Sequence, residues 1–185
     1  MPGALLVVDV QNGFVNPFTA HVPGRIRRLV EGGGHDPVLF TRFVNAPGGP
    51  YRRFLDWHAC AESPETDLAP ELAPLAAPGR VFEKPGYTGI PDDLAARLRD
   101  LDVDEVTVVG IDTDMCVLKV AMDVFDLGIR PVVLVDCCAS TAGLQAHLAG
   151  LAVLARNIGA DQLRDAGLAG GYLGAPPEAM AAVGS

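Results

Sequence analysis

Residues 4–10 read ALLVVDV and residues 105–111 read EVTVVGI, and both stretches are apolar at nearly every position rather than at alternate ones. Strands that are covered on both faces have this pattern, which is typical of a parallel sheet packed between helices. Three further stretches share it: PVLFTRFV at 37–44, RVFEK at 80–84 and RPVVLVDC at 130–137. The sequence therefore predicts five core strands.

Helical patterns separate these strands, at 22–32, 91–101, 113–127 and 141–157. The second helix opens with Pro91-Asp92-Asp93, a favourable helix start, and Gly128 ends the third. Alternating strands and helices predict right-handed βαβ units and hence an α/β fold, a doubly wound open parallel sheet with helices on both faces. With no repeat and no linker, we expect one domain over residues 1–185.

Two segments depart from the alternation. Residues 45–79 are rich in Pro, Gly and charges, with weak helical stretches near 51–58 and 68–76. Long irregular insertions tend to shape binding sites, so we expect this one to wall a pocket. From about residue 165 the Gly and Pro content predicts a loose tail in which any last strand is very short.

The composition restricts the class of partner. A chain of 185 residues with 49% apolar content can bury a sizeable core, and its net charge of -9 provides no basic stripe for nucleic acid. The first apolar run is too short for a signal peptide or a membrane span. Four cysteines, two of them adjacent, form no disulfide framework, so we expect a cytoplasmic protein without membrane partners.

Three residues that can carry chemistry fall at predicted strand ends. Asp9 and Lys84 end the first and third strands, and Cys116 follows the fourth, three residues after Thr113, which we interpret as an N-cap. A helix N-terminus and the Lys84 ammonium would lower the thiol pKa, and Asp9 would act as general acid and base. Amides of the first helical turn, including that of Cys116, would stabilise an oxyanion.

The motifs around these residues resemble those of isochorismatase-like cysteine hydrolases, the superfamily of nicotinamidases, N-carbamoylsarcosine amidohydrolases and isochorismatases. Three blocks match in order and spacing: LLVVDVQNGFV at 5–15, KPGYTGI at 84–90, and VVGIDTDMCVLKVAMDVFDLGIRPVVLVDCCAST at 108–141.

The resemblance implies an Asp9-Lys84-Cys116 catalytic triad that hydrolyses a C–N bond of a small amide or carbamoyl substrate through a thioester. It also implies a cis peptide bond between Ile111 and Asp112, with the amides of Asp112 and Cys116 forming the oxyanion hole. No cofactor and a homo-oligomer are expected. An isochorismatase-type ether hydrolase, in which Asp9 is the acid and Cys116 is dispensable, remains an alternative.

Candidate substrate contacts are aromatic and polar. We expect Phe14, Trp57 and Tyr87 to form aromatic walls, as suits a small, partly apolar substrate. Gln11 is expected to orient a carbonyl or carboxylate, a role for which Arg42 and Asn45 are also candidates.

Metal binding is not expected. Nicotinamidases of this superfamily hold a metal through an Asp-x-His pair soon after the second strand, where this chain reads Arg42-Phe43-Val44-Asn45. The triplet Asp56-Trp57-His58 is the remaining candidate, since Asp and neutral His are legitimate ligands.

Other classes fit less well. A non-catalytic module, either receiver-like with Asp9 as phosphoacceptor or one that only binds a small molecule, is the alternative from another class. A receiver domain would cluster acidic residues near Asp9, which is followed by Val10-Gln11-Asn12. A Cys–His protease is disfavoured because we place His21, His35 and His147 on surface helices or loops. The remaining cysteines are interpreted as two buried thiols, Cys137 and Cys138, and an exposed one, Cys60.

Overall fold

The computed structural model describes residues 3–168. Its single sheet has the spatial order β3-β2-β1-β4-β5-β6, and every neighbouring pair is parallel. The predicted doubly wound parallel sheet is therefore confirmed, with a last strand of only two residues. The strands are β1 (Gly3–Val8), β2 (Val38–Phe43), β3 (Val81–Lys84), β4 (Glu105–Ile111), β5 (Arg130–Ala139) and β6 (Leu163–Arg164).

In the described part of the chain five α-helices accompany the sheet: α1 (Val22–Glu31), α2 (Pro50–Leu55), α3 (Asp92–Asp100), α4 (Leu118–Asp126) and α5 (Leu144–Ile158). The helix predicted over 113–127 is divided, because a π-helical turn (Thr113–Val117) precedes α4. The weak helix predicted near 68–76 is wrong, since only Ala73–Leu75 forms a 3₁₀ turn. The amide of Ala69 donates instead to the carbonyl of Val10, which draws this backbone toward the end of β1.

The core has two halves, one on each face of the sheet. Leu6 and Val8 of β1 pack on the face covered by α3, α4 and α5, whereas Leu5 and Val7 pack on the face covered by α1. All four side chains are fully buried. Burial on both faces is the physical reason for the unbroken apolar pattern of β1. No helix within residues 3–168 is long and apolar enough to cross a membrane.

The described part of the tail is anchored. The amide of Ala166 donates to Oδ1 of Asp136 at 2.8 Å, and Ala166 and Leu168 pack against the core on the α1 face. Asp136 is itself held by a buried ion pair with Arg25, at 2.5 Å. The loose tail predicted from about residue 165 stays a prediction, because residues 165–168 form no helix or strand and the remainder, 169–185, lies outside the described residues.

The crevice between β1 and β4 is the point at which the strand order reverses. From β1 the chain proceeds to β2 and β3 on one side, then returns to place β4 on the other side of β1. Ligands of doubly wound sheets bind beyond the carboxyl ends of the strands at this point. Gly110 allows the two strands to approach there, because its φ is +135° and a Cβ on it would lie 2.2 Å from the carbonyl oxygen of Val8.

Replacing Gly110 should therefore destabilise the fold. We expect Gly110→Ala to lower the free energy of unfolding by about 3 kcal/mol or more, through the clash with β1 and the strained φ. Gly24→Ala in α1 is the matched control, since its Cβ would meet nothing within 4 Å, and it should be neutral or stabilising by up to about 1 kcal/mol. Urea unfolding measures both, and equal stabilities for the two variants would contradict the assignment.

Candidate active site

Asp9, Lys84 and Cys116 meet at the carboxyl edge of the sheet. Asp9 directly follows β1, Lys84 is the last residue of β3, and both side chains are completely buried. Lys84 Nζ lies 2.6 Å from Asp9 Oδ2. The partly buried Cys116 belongs to the π-helical turn after β4, and its thiol interacts with both charged groups. The structure thus brings together three residues that lie far apart in the sequence.

The two carboxylate oxygens of Asp9 have different surroundings. Oδ1 accepts a hydrogen bond from the hydroxyl of Thr41 at 2.7 Å, and the Asp9 amide donates to the same hydroxyl at 3.2 Å. Oδ2 faces the Lys84 ammonium, and within residues 3–168 no hydroxyl or backbone amide donates to it. Oδ2 is therefore the oxygen that is able to accept a further proton.

The electrostatics of the resting site keep the thiol protonated. Burial and the charge of Asp9 raise the pKa of Cys116, and the opposing effect of Lys84 is too small to reverse this. The expectation of a lowered thiol pKa is therefore wrong, because desolvation and a neighbouring carboxylate oppose the thiolate. Burial alone would lower the pKa of Lys84, but Asp9 and Cys116 raise it overall, so Lys84 stays cationic. Forming the thiolate requires a base.

The turn that carries Cys116 is organised by the Asp112 carbonyl. This carbonyl accepts hydrogen bonds from the amides of Met115, at 3.2 Å, and Val117, at 2.9 Å. The second bond spans five residues and makes the turn π-helical. The peptide bond between Ile111 and Asp112 is cis.

Thr113 does not cap this turn as predicted. Its buried hydroxyl is hydrogen-bonded to His147 Nδ1 at 2.6 Å, and the turn has no side-chain cap. The placement of His147 on the surface is likewise wrong, since the residue is 4% exposed. Burial and the neighbouring charge of His21 lower the pKa of His147 to about 4, so its ring is neutral at neutral pH.

The spacing of small and apolar residues along α5 could have predicted that His147 is buried. On α5 it shares the buried face with Gly150 and Leu154, at spacings of three and seven residues. A Cβ on Gly150 would lie 2.8 Å from the Asp114 backbone, so α5 packs directly against the turn that carries the nucleophile candidate.

A cavity of about 460 Å³ opens over Cys116. Its wall includes all three aromatic residues predicted from the sequence. Asp112 and Cys116, also predicted from the sequence, line it too, whereas nothing in the local sequence pattern distinguishes the remaining lining residues from ordinary loop or core positions. The lining comprises Gly13, Phe14, Asn16, Phe43, Tyr51, Leu55, Trp57, Tyr87, Asp112, Met115, Cys116 and Thr141.

The aromatic wall is a continuous cluster. The rings of Phe43 and Tyr51 meet edge to face with centroids 5.0 Å apart, and Tyr51 is equally close to Tyr87. Phe14 and Trp57 lie nearly parallel at 6.3 Å. The insertion supplies Tyr51 and Trp57, so it walls the pocket as its composition indicated.

The polar candidates from the sequence do not line the cavity, and two of them, Gln11 and Asn45, bond to the backbone of its aromatic wall. Gln11 is fully buried, and its amide exchanges hydrogen bonds with the backbone of Phe43, at 2.7 and 2.9 Å. Asn45 donates to the carbonyls of Trp57 and Ala59. Arg42 forms an ion pair with Glu83. The prediction that Gln11, Arg42 or Asn45 orients the substrate is therefore corrected to a structural role for each.

Residues 3–164 match the family model of the isochorismatase domain. The chain belongs to the isochorismatase family. It is 34% identical over 167 residues to nicotinamidase/pyrazinamidase of Mycobacterium tuberculosis (strain ATCC 25618 / H37Rv), an alignment that covers 77% of this chain and 88% of that protein.

Solved structures of the family share the fold. N-carbamoylsarcosine amidase from Thermoplasma acidophilum superposes with a TM-score of 0.77 at 26% identity, covering 92% of this chain and 100% of that one. Nicotinamidase PncA from Bacillus subtilis has a TM-score of 0.74 at 25% identity, covering 89% and 100%. The protein is thus an enzyme of the isochorismatase-like hydrolase family with amidase relatives.

The residues of this family member do not fit a metal ion. Asp56 and His58 contact each other at 2.9 Å, and their side chains are 96% and 61% exposed. Within residues 3–168 no group of three or more His, Cys, Asp or Glu side chains is placed to hold a metal. The family resemblance places the metal-binding Asp-x-His pair of nicotinamidases soon after β2. In this chain Phe43 packs in the aromatic wall at that point, and the Asn45 side chain donates a hydrogen bond to the carbonyl of Trp57.

Cys116 differs from the other three thiols in its accessibility. Cys60, expected to be exposed, is fully buried beside Phe43 and Tyr51, because the insertion folds over it. Cys137 and Cys138 are buried as predicted. Burial raises the pKa of Cys60 and Cys137 to about 12.

We therefore expect brief iodoacetamide treatment to label Cys116 first, with a rate that rises with pH as the thiolate forms. Lys84→Met should slow this labelling by roughly threefold or more, because a favourable charge is lost, whereas Lys84→Arg should retain much of the wild-type rate. Peptide mapping by mass spectrometry measures the labelling. Faster labelling of Cys137 or Cys138 in the folded protein would count against the assignment of Cys116.

Proposed function

We propose that the protein is a cysteine amidohydrolase that cleaves a C–N bond of a small amide or carbamoyl compound without a metal. The observation that carries this proposal is the position of Cys116, which lines the cavity and touches the buried Asp9–Lys84 ion pair. The names of the relatives, a nicotinamidase/pyrazinamidase and an N-carbamoylsarcosine amidase, support the same reaction class.

Acylation begins with a proton transfer from the Cys116 thiol to Asp9 Oδ2, while Lys84 stabilises the thiolate that forms. The thiolate attacks the substrate carbonyl carbon, a C–S bond forms, and the carbonyl π electrons move to oxygen. The amides of Asp112 and Cys116 donate to this oxyanion. Asp9 then returns the proton to the leaving nitrogen, the C–N bond breaks, and the collapsing intermediate leaves a thioester on Cys116.

Deacylation uses the same groups in the opposite sense. Asp9 takes a proton from a water molecule, whose oxygen attacks the thioester carbonyl. Collapse of the second oxyanion breaks the C–S bond, and Asp9 gives the proton back to the thiolate. Asp9 alternates between base and acid in both halves, which suits a carboxylate with one oxygen fixed by Thr41 and the other beside the Lys84 ammonium.

The cavity favours neutral substrates. Its described lining is mostly aromatic or aliphatic and contains no Arg or Lys, and the one charged side chain in it, Asp112, is an acid. Lys84, the nearest ammonium, is paired with Asp9. A substrate carboxylate would lose its hydration without meeting a free cation, which is costly. We therefore place small neutral amides ahead of carboxylate-bearing ones.

The decisive variants are Cys116→Ala and Asp9→Asn, assayed by ammonia release from a panel of neutral amides and carbamoyl compounds. Cys116→Ala should abolish turnover. Asp9→Asn should lower kcat by roughly 10²–10⁴ with little change in KM, because it retains the shape of Asp9 but not its basicity. Cys137→Ala, which removes a buried thiol outside the cavity, is the matched control and should keep turnover. Hydrolysis of a vinyl ether that survives in Cys116→Ala would instead identify an isochorismatase-type enzyme.

Chelation tests the metal independence separately. Because Asp56 and His58 do not fit a metal, dialysis against EDTA should leave kcat and KM within experimental error. Activity that disappears on dialysis and returns with added zinc or iron would refute this, and Asp56→Ala and His58→Ala would then show whether the triplet is the site.

A further inference from the structure

The carboxylate of Asp112 has no task in the mechanism above, which uses only the backbone amide of this residue. The side chain lines the cavity and is 7% exposed. Its two oxygens accept two hydrogen bonds from one residue: Oδ1 from the amide of Thr141, at 2.6 Å, and Oδ2 from the hydroxyl of Thr141, at 2.8 Å.

Thr141 also accepts a hydrogen bond from a residue of a third loop, the one that follows β1. It lies between β5 and α5, and its carbonyl accepts a hydrogen bond from Asn16 Nδ2 at 2.9 Å. Asn16 lies between β1 and α1, where its Oδ1 accepts from the amide of Phe18 at 2.9 Å. Asn16, Thr141 and Asp112, which we call the clasp, thus connect the loops that follow β1, β5 and β4. All three line the cavity.

We propose that Asp112 is a positioning residue whose carboxylate, by holding Thr141, keeps the turn after β4 oriented so that the Asp112 and Cys116 amides meet the substrate oxygen. This inference rests on the proposed function and adds a residue to it. The geometric reason is proximity: Asp112 begins the turn, its carbonyl accepts from Met115 and Val117, and Cys116 lies between those two residues. A shift of the turn by about 1 Å is enough to slow a reaction by about 10².

A carboxylate suits this task better than its neutral counterparts. Ionised, it is an acceptor at both oxygens and matches the two donors of Thr141, whereas a protonated acid turns one oxygen into a donor. The charge is nevertheless costly here. Burial, with a smaller effect of the nearby carboxylates of Asp114 and Asp9, raises the pKa of Asp112 to about 6, despite the lowering effect of the Thr141 hydrogen bonds.

Several other ionisable groups surround Asp112, among them the carboxylates of Asp114 and Asp9. Cys116, on the same turn, stays protonated because its pKa is raised, and Lys84, from β3, stays cationic. His147, from α5, has a pKa of about 4. Asp9 is paired with Lys84. A change in kcat centred near pH 6 is therefore assigned to Asp112 only if it disappears in Asp112→Asn.

Protonation of Asp112 should move activity and stability in opposite directions. Its pKa is raised in the folded state, from 3.8 to about 6, so the folded protein binds this proton more tightly than the unfolded chain does. The contribution of Asp112 to the free energy of unfolding therefore increases as the pH falls through 6 toward 4. The clasp loses an acceptor over the same range, so kcat should fall. If Asp112 had a purely structural role, its protonation would not lower kcat while it raises stability.

The test is the pH dependence of kcat for five variants on a neutral amide that the wild type hydrolyses. Asp112→Ala should lower kcat about 10- to 100-fold at pH 8 with less than about threefold change in KM. Asp112→Asn should lose less than Asp112→Ala and should lack the acid limb near pH 6. Thr141→Val should lower kcat about tenfold, and Thr141→Ser should recover most of it. Asp126→Asn, on the exposed end of α4, is the charge-matched control and should behave as wild type.

A second measurement does not depend on any substrate. The rate of Cys116 alkylation should change by about threefold or more in Asp112→Ala and Thr141→Val, since the turn moves, and should not change in Asp126→Asn. The clasp is refuted if Asp112→Ala and Thr141→Val keep wild-type kcat and alkylation rate, or if Asp112→Asn retains the acid limb. Turnover that persists in Cys116→Ala would instead refute the proposed function, and the alkylation rates would then still decide whether the clasp positions the turn.

Discussion

The buried ion pair between Asp9 and Lys84 sets the strictest requirement on this fold. Burying two charges is energetically costly unless the two groups are placed accurately against each other. Here Asp9 and Lys84 come from β1 and β3, which are separated by β2. The register meets this requirement, since Val8 pairs with Thr41 and Phe43 pairs with Lys84. Thr41, on the intervening strand, then donates to the carboxylate. A slip of one residue in either pairing would turn these side chains to the opposite face of the sheet.

The strands and the ion pair were accessible from the sequence for different physical reasons. Strands buried on both faces must be apolar throughout, so β1 and β4 are visible without any knowledge of their neighbours. Asp9 and Lys84 interrupt that pattern at strand ends, where parallel topology collects polar groups at one edge. Cys116 follows the next predicted strand, the resemblance to a known family grouped it with Asp9 and Lys84 as a triad, and the structure brings its thiol to the pair.

The residues whose positions or roles were predicted incorrectly are those whose surroundings are set by contacts with segments distant in sequence. Gln11 and Asn45 resemble substrate ligands until the insertion folds over β2, where their side-chain amides donate to the carbonyls of Thr66 and Trp57 in the insertion. His147 is polar by composition, and only the approach of α5 to Thr113, 34 residues away, buries it. The thiol pKa of Cys116 was misjudged for the same reason, since helix position and charge can be read locally whereas desolvation cannot.

The cavity and the catalytic candidates are built from separate parts of the chain. Tyr51 and Trp57 come from the insertion and pack against Phe43, whereas Asp9 and Lys84 are held by strand register. Substitutions within residues 51–57 can therefore reshape the wall without disturbing any partner of the ion pair. Descendants of one ancestral hydrolase could diverge in substrate preference through this short stretch alone, each inheriting the same reaction on an unaltered sheet.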